Sequence, residues 1–251
     1  MLKVSAIILS KNEEHNIAEA IQSVLWADEV LVVDSYSSDR TLEIASGFPV
    51  RVLQRPFDTH ARQKNWAFTQ ATHNWIFVLD ADERVPQNLQ QEVKQILAGE
   101  PEKVAYWIYR SNYFMGQQVR YSGWQSDKVI RLFDKRHCVY SDTKVHEEIE
   151  ANGPVGFLKH KLIHYTYRDL PQYLEKFNRY CWLSAQDRAK RTKKVTLYHL
   201  ALKPLFRFFR HYVLKLGVLD GKVGFIIASM SAYSIFLRYL IAWRMKKENQ
   251  F

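Results

Sequence analysis

The chain has 251 residues, enough for one large domain or for one domain with a sizeable appendage. Hydrophobic residues at 47% and aromatics at 14% exclude a disordered chain, and only two cysteines, Cys138 and Cys181, argue against a disulfide scaffold or a Cys-ligated zinc centre and suit a reducing compartment. The net charge of +10 suggests a nucleic-acid binder until its distribution is counted: residues 1–186 hold 22 Lys and Arg against 23 Asp and Glu, whereas residues 187–251 hold 14 against 3.

The first apolar run, Val4 to Leu9, reads as a buried strand; it is too short for a signal-peptide core and leads straight into SKNEE, so a cytoplasmic chain is expected. A helix near Asn16–Leu25 follows, then a strand over Glu29–Asp34 and a helical segment over Thr41–Ser46. Val50–Leu53 is a third strand and Ala61–Ala71 a helix. Trp75–Leu79 is a fourth strand, and Pro86–Leu97 a helix with Pro86 in its first turn. This alternation predicts an α/β domain, a mainly parallel sheet covered by helices on both faces.

Residues 104–165 change to shorter, aromatic-rich strands and loops. From Asp169 the pattern is helical: an Asp cap and a proline open it, with Leu174, Phe177 and Cys181 on one face. In the tail, Lys203, Arg207, Arg210 and Lys215 recur at roughly helical spacing among apolar residues. The uncharged run Val223–Leu237 spans only 15 residues before Arg238, short for a bilayer span and better suited to a helix lying in a membrane interface or packed on the domain. A soluble helical hairpin with a basic outer face is the plainer reading.

Ligands of open parallel sheets bind beyond the carboxyl ends of the strands. Three of the four predicted strands end there in polar or acidic residues: Ser10-Lys11-Asn12-Glu13, Asp34, and Asp80-Ala81-Asp82 followed by Glu83. Strand alternation would aim Asp80 and Asp82 the same way if the strand continued through them. Crowded carboxylates there suit Mg²⁺ or Mn²⁺ shared with substrate phosphates. The first glycine is Gly47, so neither a dinucleotide fingerprint nor a P-loop is present, and a nucleotide would have to be held by metal and side chains such as Asp34, Arg62 and Lys64. Any one of these acids alone also fits a turn or capping role.

The blocks SAIILSKNEEHNIAEAIQSV, VLVVDSYSSDRT, ARQKNWAF and WIFVLDADE resemble, in order and spacing, the nucleotide-sugar domain of family 2 glycosyltransferases. The resemblance covers about residues 2–165. It implies a GT-A, Rossmann-like domain over residues 1–168, with a donor half to about residue 100 and an acceptor half after it, followed by basic amphipathic helices over 169–251. It also implies that Asp82 and Asp80 hold the metal, and that Ser10, Lys11, Glu13, Asp34, Arg62, Asp80 and Arg131 face the nucleotide sugar.

Tyr36 and Arg40 stand where the family's VVDSGSTDGT block often has glycines, as in members resembling lipopolysaccharide inner-core glucosyltransferases that add β-linked glucose from UDP-glucose to the first heptose. DTKVHEEIE stands where many members carry a catalytic acid. Glu147 is the expected base, with Glu148 and Asp142 as alternates and His146 as a residue orienting the diphosphate or metal. The implied partners are a UDP-sugar donor, a lipid-anchored lipopolysaccharide core acceptor and the anionic inner face of the cytoplasmic membrane, without nucleic acid. A polyprenyl phosphate acceptor, or a basic adaptor without catalysis, are the alternatives.

Overall fold

The structure, a computed structural model, describes residues 2–141 and 149–248. Two compact units divide the chain: Met1–Arg110 with Lys128–His164, and Ser111–Asp127 with Tyr165–Phe251.

The first unit is built on β1 (Val4–Ser10), α1 (Ile17–Gln22), β2 (Glu29–Asp34), α2 (Thr41–Ser46), β3 (Arg51–Gln54), α3 (His60–Gln70), β4 (Trp75–Asp80), β5 (Glu83–Arg84) and α4 (Gln87–Ala98). Strands β3, β2, β1 and β4 lie side by side in that order, all parallel. Continuous apolar runs were needed because both sheet faces are covered. Ala6 and Ile8 of β1, Val32 of β2 and Phe77 and Leu79 of β4 pack with Ile17, Ile21, Leu89 and Val93 on one face. Ile7, Leu31, Val33, Ile76 and Val78 pack with Ala67 and Phe68 of α3 on the other. Each such fully buried side chain contributes about 1.5–3 kcal/mol relative to exposure. Pro86 does not begin α4 as expected but caps it in extended conformation.

After β4 the sheet turns antiparallel. The strands β6 (Ala105–Phe114), β7 (Gln117–Val119), β8 (Lys128–Asp134), β9 (Cys138–Tyr140), β10 (Ile149–Ala151), β11 (Val155–Phe157) and β12 (Leu162–Tyr167) follow. β8 pairs antiparallel with both β4 and β6, and β5 pairs antiparallel with the start of β12. The sheet is therefore mixed, with its parallel half carrying the strand ends of interest. Both cysteines are buried and free.

In the second unit, α5 (Leu170–Arg191) is capped by Asp169, whose side chain accepts from the Gln172 amide at 2.9 Å. Its buried positions are Cys181 and Ala185, while Leu174 is exposed, contrary to the expected face; Tyr173 and Phe177, at the same four-residue spacing, take that role. A π-helical turn (Tyr198–Leu202), α6 (Lys203–Phe209), a second π-helical turn (Arg210–Leu214) and a 3₁₀ turn (Gly217–Asp220) lead into α7 (Gly221–Glu248). Gly224 allows α7 to meet that 3₁₀ turn, since a Cβ there would fall 1.8 Å from the Gly217 carbonyl oxygen.

The polarity of α6 is inverted relative to a basic outer face. Lys203 and Arg207 are half-buried and donate to Tyr239 and Ser231 of α7, whereas Leu202, Leu205, Phe206, Phe209, Val213 and Leu214 are exposed. Helical spacing alone placed the cations on one side; what α6 meets decided which side faces out.

Candidate active site

The parallel register puts three strand ends on one rim, Ser10 beside Asp34 and Leu9 beside Asp80. Asp34 is fully buried, and its carboxylate accepts from the Ser37 amide at 2.9 Å, from the Ser37 hydroxyl, and from Ser10 Oγ at 3.3 Å. The loops after β1 and β2 lock together: the Asn12 amide donates to Ser37 Oγ at 2.8 Å and the Glu13 amide to Thr41 Oγ1 at 2.7 Å. Glu13 also accepts from the Asn16 side chain at 2.7 Å, while Lys11 is exposed.

Within this rim Tyr36 takes φ 55°, a left-handed conformation that a bulky residue rarely adopts, and leaves its side chain 57% exposed. Arg40, the other departure from the family's glycines, has φ −78° and needs none. Tyr36→Gly is expected to stabilise the fold by about 0.5–1 kcal/mol, the relief of left-handed strain less the entropy cost of glycine. Urea denaturation tests this, and a net loss of stability would show that contacts of the ring hold the turn.

β4 stops at Asp80, so Asp80 and Asp82 do not continue one strand face. Residues 81–82 turn, the Asp80 amide donates to Glu83 Oε2 at 3.1 Å, and β5 leaves in a new pairing. Arg131 of β8, 2% exposed, reaches back to the turn: its Nη2 donates to Asp80 and, at 2.7 Å, to Glu83 Oε1. Arg110 of β6 lies 3.4 Å from the same Glu83 oxygen.

Burial alone raises the Asp80 carboxyl, but the charge of Arg131, then that of Lys64, outweighs it and holds Asp80 well below the usual carboxylate range. Glu83 moves the other way, because its complete burial and the neighbouring Asp80 charge exceed what Arg131 returns. Burial disfavours charge on Arg131 too, but Asp80 and Glu83 overcome it and keep the guanidinium protonated. Asp82 is turned aside, half-buried, with His164 Nε2 of β12 at 3.6 Å.

Beside Asp80 lies a cavity of about 390 Å³ whose cationic lining is Lys64, Arg110, Lys128 and Arg131. Lys64 Nζ sits 4.6 Å from the Tyr140 ring and Lys128 Nζ 4.6 Å from the Trp107 ring. A larger cavity of about 900 Å³, bordered by Asn65, Phe68, Lys135 and His137, touches none of the strand-end acids. Arg62 is not among the described residues that line the cavity; its amide donates to the Thr59 hydroxyl at the start of α3.

Glu147, Glu148, Asp142 and His146 lie outside the described residues. The strands flanking them pair Tyr140 with Ile149, and both of those residues line the cavity. Glu83, although part of the acidic run, and Arg110 were given no role by the sequence, and His164 was read there as an ordinary strand residue or one lining an acceptor cleft; only the pairing of distant strands brings Arg110 and His164 to the acidic turn.

Could these residues hold a divalent cation? Among the described residues no group of three or more His, Cys, Asp and Glu is placed to do so alone. Asp82 nonetheless offers a partly exposed carboxylate with no Arg partner among the described residues, the kind of hard oxygen donor that Mg²⁺ or Mn²⁺ shares with substrate phosphates. Asp80, by contrast, is committed to Arg131.

Acids and cations gathered at the carboxyl end of a parallel sheet define an α/β enzyme of the open-sheet class. The sequence pattern of glycosyl transferase family 2 matches residues 5–151, and the chain belongs to that family: it is a glycosyltransferase with a GT-A fold. An uncharacterized glycosyltransferase of Rickettsia typhi is 32% identical over 95% of this chain and 86% of its own. The lipopolysaccharide core biosynthesis glycosyltransferase LpsC of Rhizobium meliloti is 28% identical over 97% of this chain and 95% of its own. A solved structure of glucosyl-3-phosphoglycerate synthase from Mycobacterium tuberculosis with Mn²⁺, UDP and phosphoglyceric acid overlaps 44% of this chain and 43% of its own, at 21% identity and a TM-score of 0.37, an overlap too slight to carry substrate or mechanism. Family membership removes the adaptor without catalysis.

Proposed function

We propose that the chain transfers a hexose, glucose from UDP-glucose, with inversion onto heptose I of the lipopolysaccharide inner core. The observation that carries this reading is the cationic cavity against the Asp80–Asp82–Glu83 turn, in a chain similar along nearly its whole length to a lipopolysaccharide core glycosyltransferase. As the sugar leaves through an oxocarbenium-like state, negative charge builds on the diphosphate. A divalent cation at Asp82 would supply Lewis-acid stabilisation of that charge. Lys64 and Arg131 add fixed positive charge, and Arg131 holds the acidic turn in one geometry. Glu147, or Glu148 or Asp142 in its place, takes the proton of the acceptor hydroxyl, which requires a base within hydrogen-bond reach on the sugar face opposite the diphosphate. Ser10, Lys11, Glu13, Asp34 and Arg62 serve the nucleotide end of the site.

The same reading places the enzyme on the inner face of the cytoplasmic membrane, where its lipid-anchored acceptor would be. The exposed apolar side chains from Leu202 to Leu214 support this, because such a stripe suits the boundary between headgroups and acyl chains. Residues 217–247 are long and apolar enough to cross a bilayer by length and composition, but Arg238 interrupts them and they pack on α5 and α6, which favours an interfacial position.

Calorimetric titration of UDP tests the donor assignment. Wild type is expected to bind UDP with Mn²⁺ and to lose at least tenfold in affinity with excess chelator. Asp82→Ala is expected to bind weakly in both conditions. UDP binding that is indifferent to both chelator and the substitution would refute the metal role of Asp82.

A further inference from the structure

Four cations of the second unit come together where no carboxylate of the described residues balances them. Arg188 of α5 donates from Nη1 to the Tyr239 hydroxyl at 2.9 Å, and Lys203 of α6 donates from Nζ to the same oxygen at 2.8 Å. Both also lie over the Tyr239 ring, each 4.8 Å from its centroid, and Tyr239 is buried. One turn beyond Lys203, Arg207 donates from Nε to Ser231 Oγ at 2.9 Å. Arg238 follows Ser231 by two turns on the same side of α7, and its buried Nε has no hydrogen-bond partner among the described residues. No carboxylate pairs with any of these four among the described residues.

Such a cluster is costly on its own. Buried charges are ordinarily paired, and like charges held together repel. Burial lowers Arg207 from the usual arginine range, and the charges of Arg210, Arg238 and Arg188 lower it further. The two π-helical turns that bracket α6 are the kind of irregularity often found at functional sites.

We propose that Arg188, Lys203, Arg207 and Arg238 form a binding site for a phosphate group between α5, α6 and α7. A phosphate carries up to two charges and several acceptor oxygens, and guanidinium forks match it bidentately. Because the Tyr239 oxygen already accepts from Arg188 and Lys203, its own O–H is left to donate to the anion. The phosphate is carried either by a lipid headgroup or by a soluble phosphomonoester. The site is independent of the donor chemistry assigned to the first unit.

The test uses the full chain and two probes, inorganic phosphate and vesicles of phosphatidylcholine with or without phosphatidylglycerol, in physiological salt. The double variant Arg207→Gln/Arg238→Gln is compared with the exposed-charge control Lys194→Gln/Lys222→Gln, which removes the same net charge. Phosphate is expected to raise the melting temperature of wild type and of the control but not of the double variant. In phosphate-free buffer the double variant is expected to melt higher than wild type, since repulsion is relieved; a purely structural role for these arginines would make it melt lower. If the source is lipid, vesicle affinity falls at least tenfold more in the double variant than in the control. A phosphate response without that vesicle effect assigns the site to a soluble phosphomonoester.

Wild-type melting that ignores phosphate, together with equal vesicle affinity in the double variant and the control, overturns the proposal. Should the double variant fail to fold, Tyr239→Phe keeps the ring and removes the hydroxyl. It is then expected to shrink the phosphate response or the vesicle affinity, and an unchanged value of both overturns the proposal equally.

Discussion

Arg131→Met is expected to lower the stability of the fold by about 3–5 kcal/mol at pH 7, the range for breaking a buried ion pair by removing one partner. The loss arises because Asp80 and the fully buried Glu83 both rely on the same guanidinium. Arg131→Lys should cost less, since a charge remains but a single ammonium replaces the fork that now serves both acids. Urea denaturation followed by tryptophan fluorescence gives the value, and a change below about 1 kcal/mol would show that Arg131 does not hold the turn.

Acidification from pH 7 to 5 should stabilise the variant more than the wild type. In wild type the depressed Asp80 contributes stability that is present above the unfolded carboxyl value near 4 and is lost as pH falls toward the folded value. Glu83 opposes it: its folded value is raised, so its ionisation costs stability at neutral pH, and that cost is relieved on acidification. In Arg131→Met both carboxyls lie above their unfolded values, so the variant should gain stability between pH 7 and 5. The gap between wild type and variant should therefore narrow toward acid. A gap that widens over that interval would contradict the assigned role of Arg131.

Glu147→Gln is expected to lower kcat by about 10²–10⁴-fold, the usual contribution of a general base, with little change in donor affinity. Steady-state kinetics with the proposed heptose acceptor, run beside Glu148→Gln and Asp142→Asn, identifies which of the three acids acts. The strands that flank this segment bring Tyr140 and Ile149 to the wall of the cavity at Asp80. Full activity in all three variants would instead favour a phosphate acceptor, which needs no base.

Much of the parallel half of the sheet was legible locally. Strands buried on both faces must be apolar throughout, so Val4–Leu9, Glu29–Asp34 and Trp75–Leu79 declared themselves, and the structure keeps β2 and α2 at the expected limits. Their polar ends marked the rim because a buried strand tolerates acids only where it emerges. The family could be recognised for the same reason: its blocks are these strand ends in order.

Other features depend on groups far apart in the chain. Arg131 lies about fifty residues beyond the acids it pairs, and β5 meets β12 across a still longer interval, so no periodicity announces either contact. Asp80 and Asp82 diverge because β5 takes up its own pairing after the turn, a choice made by the strand it joins. Likewise the helical spacing of Lys203 and Arg207 was visible, but their burial was not. A sequence determines by local sterics and burial pattern which segments become strands and helices and which polar groups sit at their ends. Only tertiary packing decides which face of each is covered and which charges are forced together, because those energies belong to pairs of surfaces, and neither surface alone contains them.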